Sequence, residues 1–273
     1  MYLNDETVNN NIEYLSNTIN IGKPIVNILW TGGWDSTFRI LDLAEKGIII
    51  QPYYISDNRK SESFELNAIG EISARLNELQ STKSLIMPLK ILKSSEIPED
   101  REITDSYNIL RDQVFMGSQY DWLARFAKCY PGFELCIHKD DTAFNVIKTF
   151  GNVLKTQNEV SSFYILDKSK STEDLIKVFG NFHFPILDYS KLDMKRIAEN
   201  KGYESIMDRT WFCHSPINNE PCGICNPCKY AIEEGMDFRF SVKALKRYKF
   251  DKKINKLKIY RYIKSIRKRV LGY

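Results

Sequence analysis

The sequence predicts an α/β fold in which a parallel sheet is flanked by helices, with a small four-cysteine knuckle and a basic helix added at the C-terminal end. Three observations carry this. The apolar run Ile25 to Trp30 meets the pair Gly32-Gly33 and then Asp35-Ser36-Thr37, which reads as strand, tight turn and helix start. Short apolar runs then alternate with helix-period stretches, the pattern of βαβ units. Finally, four of the six cysteines crowd into Cys213 to Cys228.

Taken in order, Val8, Ile12, Leu15 and Ile19 have helical spacing and predict a lead-in helix over the first twenty residues. After the glycine pair, a helix runs through Thr37 to Glu45, Gly47 marks its end, and Ile48 to Ile55 forms the second strand. Phe64, Ala68, Ile72 and Leu76 recur every four residues, so Ser61 to Leu79 is a helix packed by that stripe. Leu85 to Leu92 reads as a third strand, Ser94 to Asp105 as a charged connection, Tyr107 to Tyr130 as one helix and Phe133 to Ile137 as a fourth strand. Helices over Ala143 to Leu154 and Thr172 to Phe179 surround a short strand, Phe163 to Leu166. Ser190 and Asp193 have capping-box spacing at the start of the next helix, with Lys191 between them.

The glycine turn demands a ligand chemistry. Glycines let successive backbone N–H groups converge, and the new helix aims its unpaired N–H groups and positive dipole end at the same point. Each dipole contact contributes only about 0.3–1 kcal/mol, so phosphate binding needs Gly32, Gly33 and the hydroxyls of Thr31, Ser36 and Thr37 together. A bare Asp35 would repel phosphate, which makes sense if it holds Mg2+ or orients an attacking amine. Mg-ATP is therefore the expected ligand, with Asp35 and Ser36 at the chemistry and Lys191 placed to neutralise phosphate charge. Gln119, Asp121, Arg125, His138 and Asp140 fall near the carboxyl edge of the sheet and are candidate substrate contacts.

Cys213, Cys222, Cys225 and Cys228 follow a C-x8-C-x2-C-x2-C spacing. Each short turn brings two sulfurs to one side and the longer loop returns the fourth, so all can surround one tetrahedral cation. Zn2+ suits this set best, and an iron–sulfur cluster is the alternative the spacing admits. Cys129 and Cys136 sit at core-like positions, where an inert thiol is expected.

The T-G-G-W-D-S-T loop, Glu65-Leu66-Asn67-Ala68, the stretch Pro185 to Asp193, and Thr210-Trp211-Phe212-Cys213 followed by Cys222-Gly223-Ile224-Cys225 resemble motifs of the PP-loop ATP pyrophosphatases. Within that superfamily they are most similar to the 7-cyano-7-deazaguanine synthases of queuosine biosynthesis. The resemblance covers about Ile25 to Tyr230. It implies a Rossmann-like adenine nucleotide alpha hydrolase fold, a structural zinc, and an ATP-dependent carbon–nitrogen ligase that adenylates a carboxylate and converts it with ammonia to an amide and nitrile. The chain departs from the family at Ser56-Asp57-Asn58-Arg59, at Gly117-Ser118-Gln119 and after His138, the substrate side, so the acceptor acid stays open. A tRNA-modifying sulfur or nitrogen transferase and a non-catalytic nucleotide-binding partner are the other readings.

At 273 residues and 43% hydrophobic, the chain can bury one substantial core with an appendage. The expected division is a nucleotide-binding domain over 1–205, a cysteine subdomain over 206–238 and a basic tail over 239–273. The tail is basic because residues 241–273 hold 13 Lys and Arg against Asp251 alone, while the remaining 240 residues hold 34 acids against 26 bases. RNA, a partner protein and an anionic membrane surface are the partners such a tail admits, beside a merely solvated helix, and a homodimer is left open. No run of about 18 apolar residues occurs, and the polar N-terminal stretch has no signal-peptide pattern, so a cytoplasmic location is expected.

Overall fold

The computed structural model describes residues 22–256. The expected lead-in helix and the tail beyond residue 256 lie outside the described residues. The central sheet is built from β1 (Ile25–Leu29), β2 (Ile49–Ser56), β3 (Leu85–Ile86), β4 (Lys90–Lys93), β5 (Phe133–Glu134) and β8 (Phe182–His183). Its order is β3-β2-β1-β5-β8, with β4 also on β2, and every pairing is parallel. The antiparallel hairpin of β6 (Val153–Gln157) and β7 (Ser162–Leu166) joins the edge through reciprocal bonds between Tyr164 and Phe184.

Alternation along the strands divides the interior into two layers. Val26, Ile28, Trp30, Ile50 and Tyr54 face one layer, packed by α1 (Trp34–Ala44), α2 (Glu62–Glu78), α7 (Lys191–Asn200) and α8 (Glu204–Met207). Tyr53, Ile55, Phe133, Leu135 and Ile137 face the other, packed by α3 (Arg101–Gln113), α4 (Gln119–Cys129), α5 (Thr142–Phe150) and α6 (Glu173–Phe179). Cys213, Cys222 and Cys228 belong to the first layer, so the cysteine segment shares the core of β1 and α1. Helices α9 (Asn226–Glu233) and α10 (Val242–Lys256) complete the chain.

Several expected elements differ: the helix expected over Ala143 to Leu154 ends at Phe150, and Val153 and Leu154 instead open β6. The third strand is two strands, interrupted at Met87-Pro88-Leu89, because Pro88 has no N–H to continue the ladder; its carbonyl instead accepts from the Gln51 side chain at 3.1 Å. The expected connection before Tyr107 already contains the first turns of α3, capped by Asp100, whose carboxylate accepts the Ile103 N–H at 3.2 Å. The single helix over Tyr107 to Tyr130 is two, broken where Val114 takes an extended conformation (φ −139°, ψ 154°) ahead of Gly117. Cys129 is exposed and not in the core.

One buried ion pair ties α1 to β5. Arg39, 3% exposed, reaches both oxygens of Glu134 at 2.6 and 2.8 Å and also bonds Asp42 and, in the hairpin turn, Ser161. Burial alone would lower the Arg39 pKa, yet the bidentate Glu134 carboxylate holds it above its ordinary value. Removing Glu134 leaves the buried guanidinium with only the partly exposed Asp42 to answer its charge. Glu134→Ala is therefore expected to lower unfolding free energy by up to about 3–5 kcal/mol, read from the denaturant midpoint. Arg39→Met combined with Glu134→Leu should lose much less, and an unchanged midpoint for Glu134→Ala alone would contradict the assignment.

Candidate functional site

The glycine turn sits where the strand order changes direction, since β1 connects to β2 on one side and pairs with β5 on the other. That crevice at the carboxyl ends of parallel strands is where open α/β sheets take ligands. Gly32 has φ +68°, and a Cβ there would lie 2.8 Å from the Glu65 carbonyl oxygen. Only glycine lets the turn lie this close to α2. Gly33 is the N-cap of α1, and no side chain caps the helix. The first-turn N–H groups of α1 are thus left for an acceptor from outside.

The turn opens into a cavity of about 510 Å³. Thr31, Gly33, Trp34 and Asp35 form one wall, and His138, Asp140 and Asp141 after β5 form the next. The start of α4, including Gln119, and the cysteine segment, through Trp211, Phe212 and Tyr230, close it. Of the expected phosphate and substrate contacts, Thr31, Gly33, Asp35, Gln119, His138, Asp140 and Lys191 line the cavity. Gly32 shapes the turn from behind. The Ser36 hydroxyl donates to the Gly33 carbonyl at 3.4 Å, and the fully buried Thr37 hydroxyl accepts the Trp30 indole N–H at 3.0 Å, so both brace the turn. Asp121 and Arg125 are not brought to the cavity; they pair with each other at 2.9 Å.

The cavity gathers opposed charges. Lys191 lies 2.7 Å from Glu234 and 4.0 Å from Asp35. Burial would lower the Lys191 pKa, but those two carboxylates hold it above its ordinary value. Burial pushes Asp141 up, although its carboxylate accepts the Ala143 N–H at 2.8 Å as the cap of α5. Asp35 Oδ1 is buried with no hydrogen-bond partner, a free hard-oxygen donor of the kind Mg2+ takes. Lys191 itself is positioned by the capping box: Ser190 Oγ accepts the Asp193 N–H at 3.1 Å and Asp193 accepts the Ser190 N–H at 3.0 Å.

The four cysteine sulfurs lie within 4.8 Å of one another. Cys213 to Cys225 is 3.9 Å and Cys222 to Cys228 is 3.8 Å. A tetrahedron with metal–sulfur bonds of about 2.3 Å has edges of about 3.8 Å, so the cluster can hold a metal ion such as zinc. Backbone N–H groups of Ile224 and Cys225 point at Cys222 Sγ at 3.3 and 3.2 Å, and the Cys222 N–H points at Cys213 Sγ at 3.2 Å, stabilising thiolate charge. As free thiols the sulfurs work against each other: the Cys213 S–H pulls Cys225 below its ordinary pKa, and Cys213 in turn is pushed up to about 12. A divalent cation removes that conflict.

Helix α10 covers the knuckle. A Cβ at Gly223 (φ +80°) would lie 2.3 Å from the Ala244 carbonyl oxygen, and Arg247 Nε donates to the Cys222 carbonyl at 2.7 Å. The first part of the basic tail is thus packed on the cysteine segment, while Lys243, Lys246, Lys249 and Lys253 are exposed.

Arg239, Glu234, Asp141 and Trp34 also line the cavity, and none was a sequence candidate. The Arg239 guanidinium carbon lies 5.2 Å from the Trp34 ring centroid and 4.8 Å from that of Phe212, and its Nη2 donates to the Thr210 carbonyl at 2.6 Å. Burial lowers its pKa to about 10, so it remains a cation at neutral pH. Trp34 lies in the glycine turn itself and Asp141 follows β5, whereas for Glu234 and Arg239 local sequence gives no signal; only the return of the chain after the cysteines brings those two to the cavity.

No protein-family model matches this chain, and a search of curated proteins finds no significant match. Among the described residues no helix is long and apolar enough to cross a membrane.

Metal analysis of the full chain is expected to return one zinc, falling sharply in Cys228→Ser; iron with visible absorption would instead mark a cluster. A pH effect follows from Asp193, whose pKa is depressed by hydrogen bonds from the Ser190 hydroxyl and N–H and by Lys139. A carboxylate depressed in the folded state contributes stability that is complete above about pH 4 and lost as pH falls through the folded value. Asp193→Asn should therefore flatten this part of the acid-stability profile, and a profile identical to wild type would count against the capping box.

Proposed function

We propose that the chain is an ATP-dependent carbon–nitrogen ligase of the PP-loop type, similar to the 7-cyano-7-deazaguanine synthases, acting on a small carboxylate. The observation that carries this reading is the uncapped start of α1 at Gly33, opening with Asp35 into a ligand-sized cavity at the carboxyl edge of the sheet. The motif resemblance supplies the reaction class. Asp35, with its unpartnered oxygen, would hold Mg2+, which neutralises phosphate charge when bound.

The chemistry suits this arrangement. A carboxylate is a poor electrophile and oxide a poor leaving group, so activation is required. The acceptor oxygen attacks the α-phosphorus, the bond to pyrophosphate breaks, and an acyl adenylate results. Ammonia then adds at the acyl carbon, and AMP and a proton leave to give the amide. Activated in the same way on its oxygen, the amide loses AMP and both nitrogen protons to give the nitrile. N–H groups at Gly33 and the start of α1 bind the phosphates, the Lys191 ammonium balances developing negative charge, and the aromatic walls exclude water from the adenylate. The four cysteines hold a structural zinc that keeps Trp211 and Phe212 in the wall.

The test is incubation with ATP, ammonia and a panel of acids including 7-carboxy-7-deazaguanine, with mass spectrometry of all products. AMP and pyrophosphate should form only with an accepted acid, and Asp35→Ala should reduce turnover by about a hundredfold or more. ATP cleavage to ADP, or turnover indifferent to both the acid and Asp35, would contradict the proposal. A second reading, a tRNA-modifying enzyme, is favoured by one observation: Lys243, Lys246, Lys249 and Lys253 lie exposed along α10, none with an ion-pair partner among the described residues. Charge reversal of these four should abolish tRNA retention if it holds and leave small-molecule turnover intact if it does not.

A further inference from the structure

The cavity contains a cation with no ion-pair partner among the described residues, although Asp208 and Asp35 lie near enough to favour its charge. Arg59 pairs with Asp57 at 2.8 Å and Lys191 with Glu234 at 2.7 Å. Arg239, by contrast, has no carboxylate partner among the described residues and one hydrogen bond, to the Thr210 carbonyl. A guanidinium carries five N–H donors, and a half-buried charge that carboxylates answer only from a distance is costly. What keeps it in place is the pair of aromatic faces, Trp34 and Phe212, against which it stacks. Beside it, the Trp34 indole N–H is buried and also has no acceptor. Both groups only donate, and both belong to residues that line the same cavity. The complement of such a wall is an oxyanion on a flat ligand.

We infer that Arg239, assisted by the Trp34 indole N–H, is the receptor for an oxyanion of the ligand bound in this cavity. The chemistry fits two sources: the carboxylate of a planar acceptor acid or a phosphate of the nucleotide. The choice between them, though not the oxyanion itself, rests on the ligase reading. The forked guanidinium matches either group in a two-point contact, which a lysine in its place could not reproduce.

The test compares full-length, zinc-loaded wild type with Arg239→Met, Arg239→Lys and Trp34→Phe. Calorimetric titrations use two probe sets: Mg-ATP, and indole-3-carboxylate against its neutral isostere indole-3-carboxamide. Wild type should bind at least one oxyanion probe, and Arg239→Met should weaken it about tenfold to a hundredfold while leaving carboxamide affinity unchanged. Arg239→Lys should fall between, and Trp34→Phe should weaken the same probe less. Loss confined to the acid identifies the carboxylate, and loss confined to Mg-ATP identifies the phosphate.

Because Arg239→Met removes a half-buried charge with no ion-pair partner among the described residues, its thermal midpoint should not fall. Unchanged affinity for both oxyanion probes, equal loss for acid and amide, binding of neither probe by wild type, or a lowered midpoint with unchanged binding would each overturn the inference. The two readings separate cleanly. A chain that turns over ATP with Arg239→Met unaltered refutes the oxyanion receptor and spares the ligase. One that binds the acid through Arg239 but never binds ATP does the reverse.

Discussion

The hydrogen bond from the Trp211 N–H to the Gly32 carbonyl, 2.8 Å long, joins the two parts of this molecule that matter most. On one side is a glycine forced into φ +68° with the Glu65 carbonyl pressed against it. On the other is the irregular segment leading into four converging sulfurs. Without that contact the cavity would be an open notch at the sheet edge. With it, Trp211 stacks on Phe64 at 4.6 Å, Phe212 and Arg239 follow into the wall, and the first turn of α1 faces a cavity walled on that side. The cysteine segment is thus part of the site's architecture, sharing the core of β1 and α1.

The electrostatics of the cavity follow from that wall. Acids and bases that would be unremarkable in water are held partly buried, where water screens their charges less. Lys191 is clamped between Asp35 and Glu234, and burial works against the ionisation of Asp141. In the proposed ligase this arrangement provides a hard-oxygen ligand, a mobile-charge clamp and an anion-accepting helix start within one volume. The buried Arg39–Glu134 pair holds α1 against β5 from behind, so the helix that presents Asp35 is fixed to the strand that leads to His138.

Much of the fold was legible because it follows from local rules. The apolar run of β1, the glycine pair, the four-residue stripe of α2 and the Ser190–Asp193 box each express a periodicity or a cap. Misreadings arose where one residue interrupts a period: Pro88 splits a strand, and the extended backbone at Val114 splits a helix. The cysteine cluster was readable from spacing because metal chelation is itself local. Arg239 and Glu234 were not readable. Their place in the cavity depends on how the chain returns after the knuckle, and no pattern in Glu233 to Phe240 announces it. Thr37 shows the converse, a motif hydroxyl that structure assigns to bracing Trp30.

The most direct measurement is a crystal structure of the metal-loaded protein soaked with a non-hydrolysable ATP analogue and Mg2+. The account predicts phosphate density against the N–H groups at Gly33 and the start of α1, with the metal on Asp35 and the nucleotide inside the cavity walled by Trp211 and Phe212. Nucleotide bound elsewhere, or a cavity left empty at saturating analogue, would contradict it.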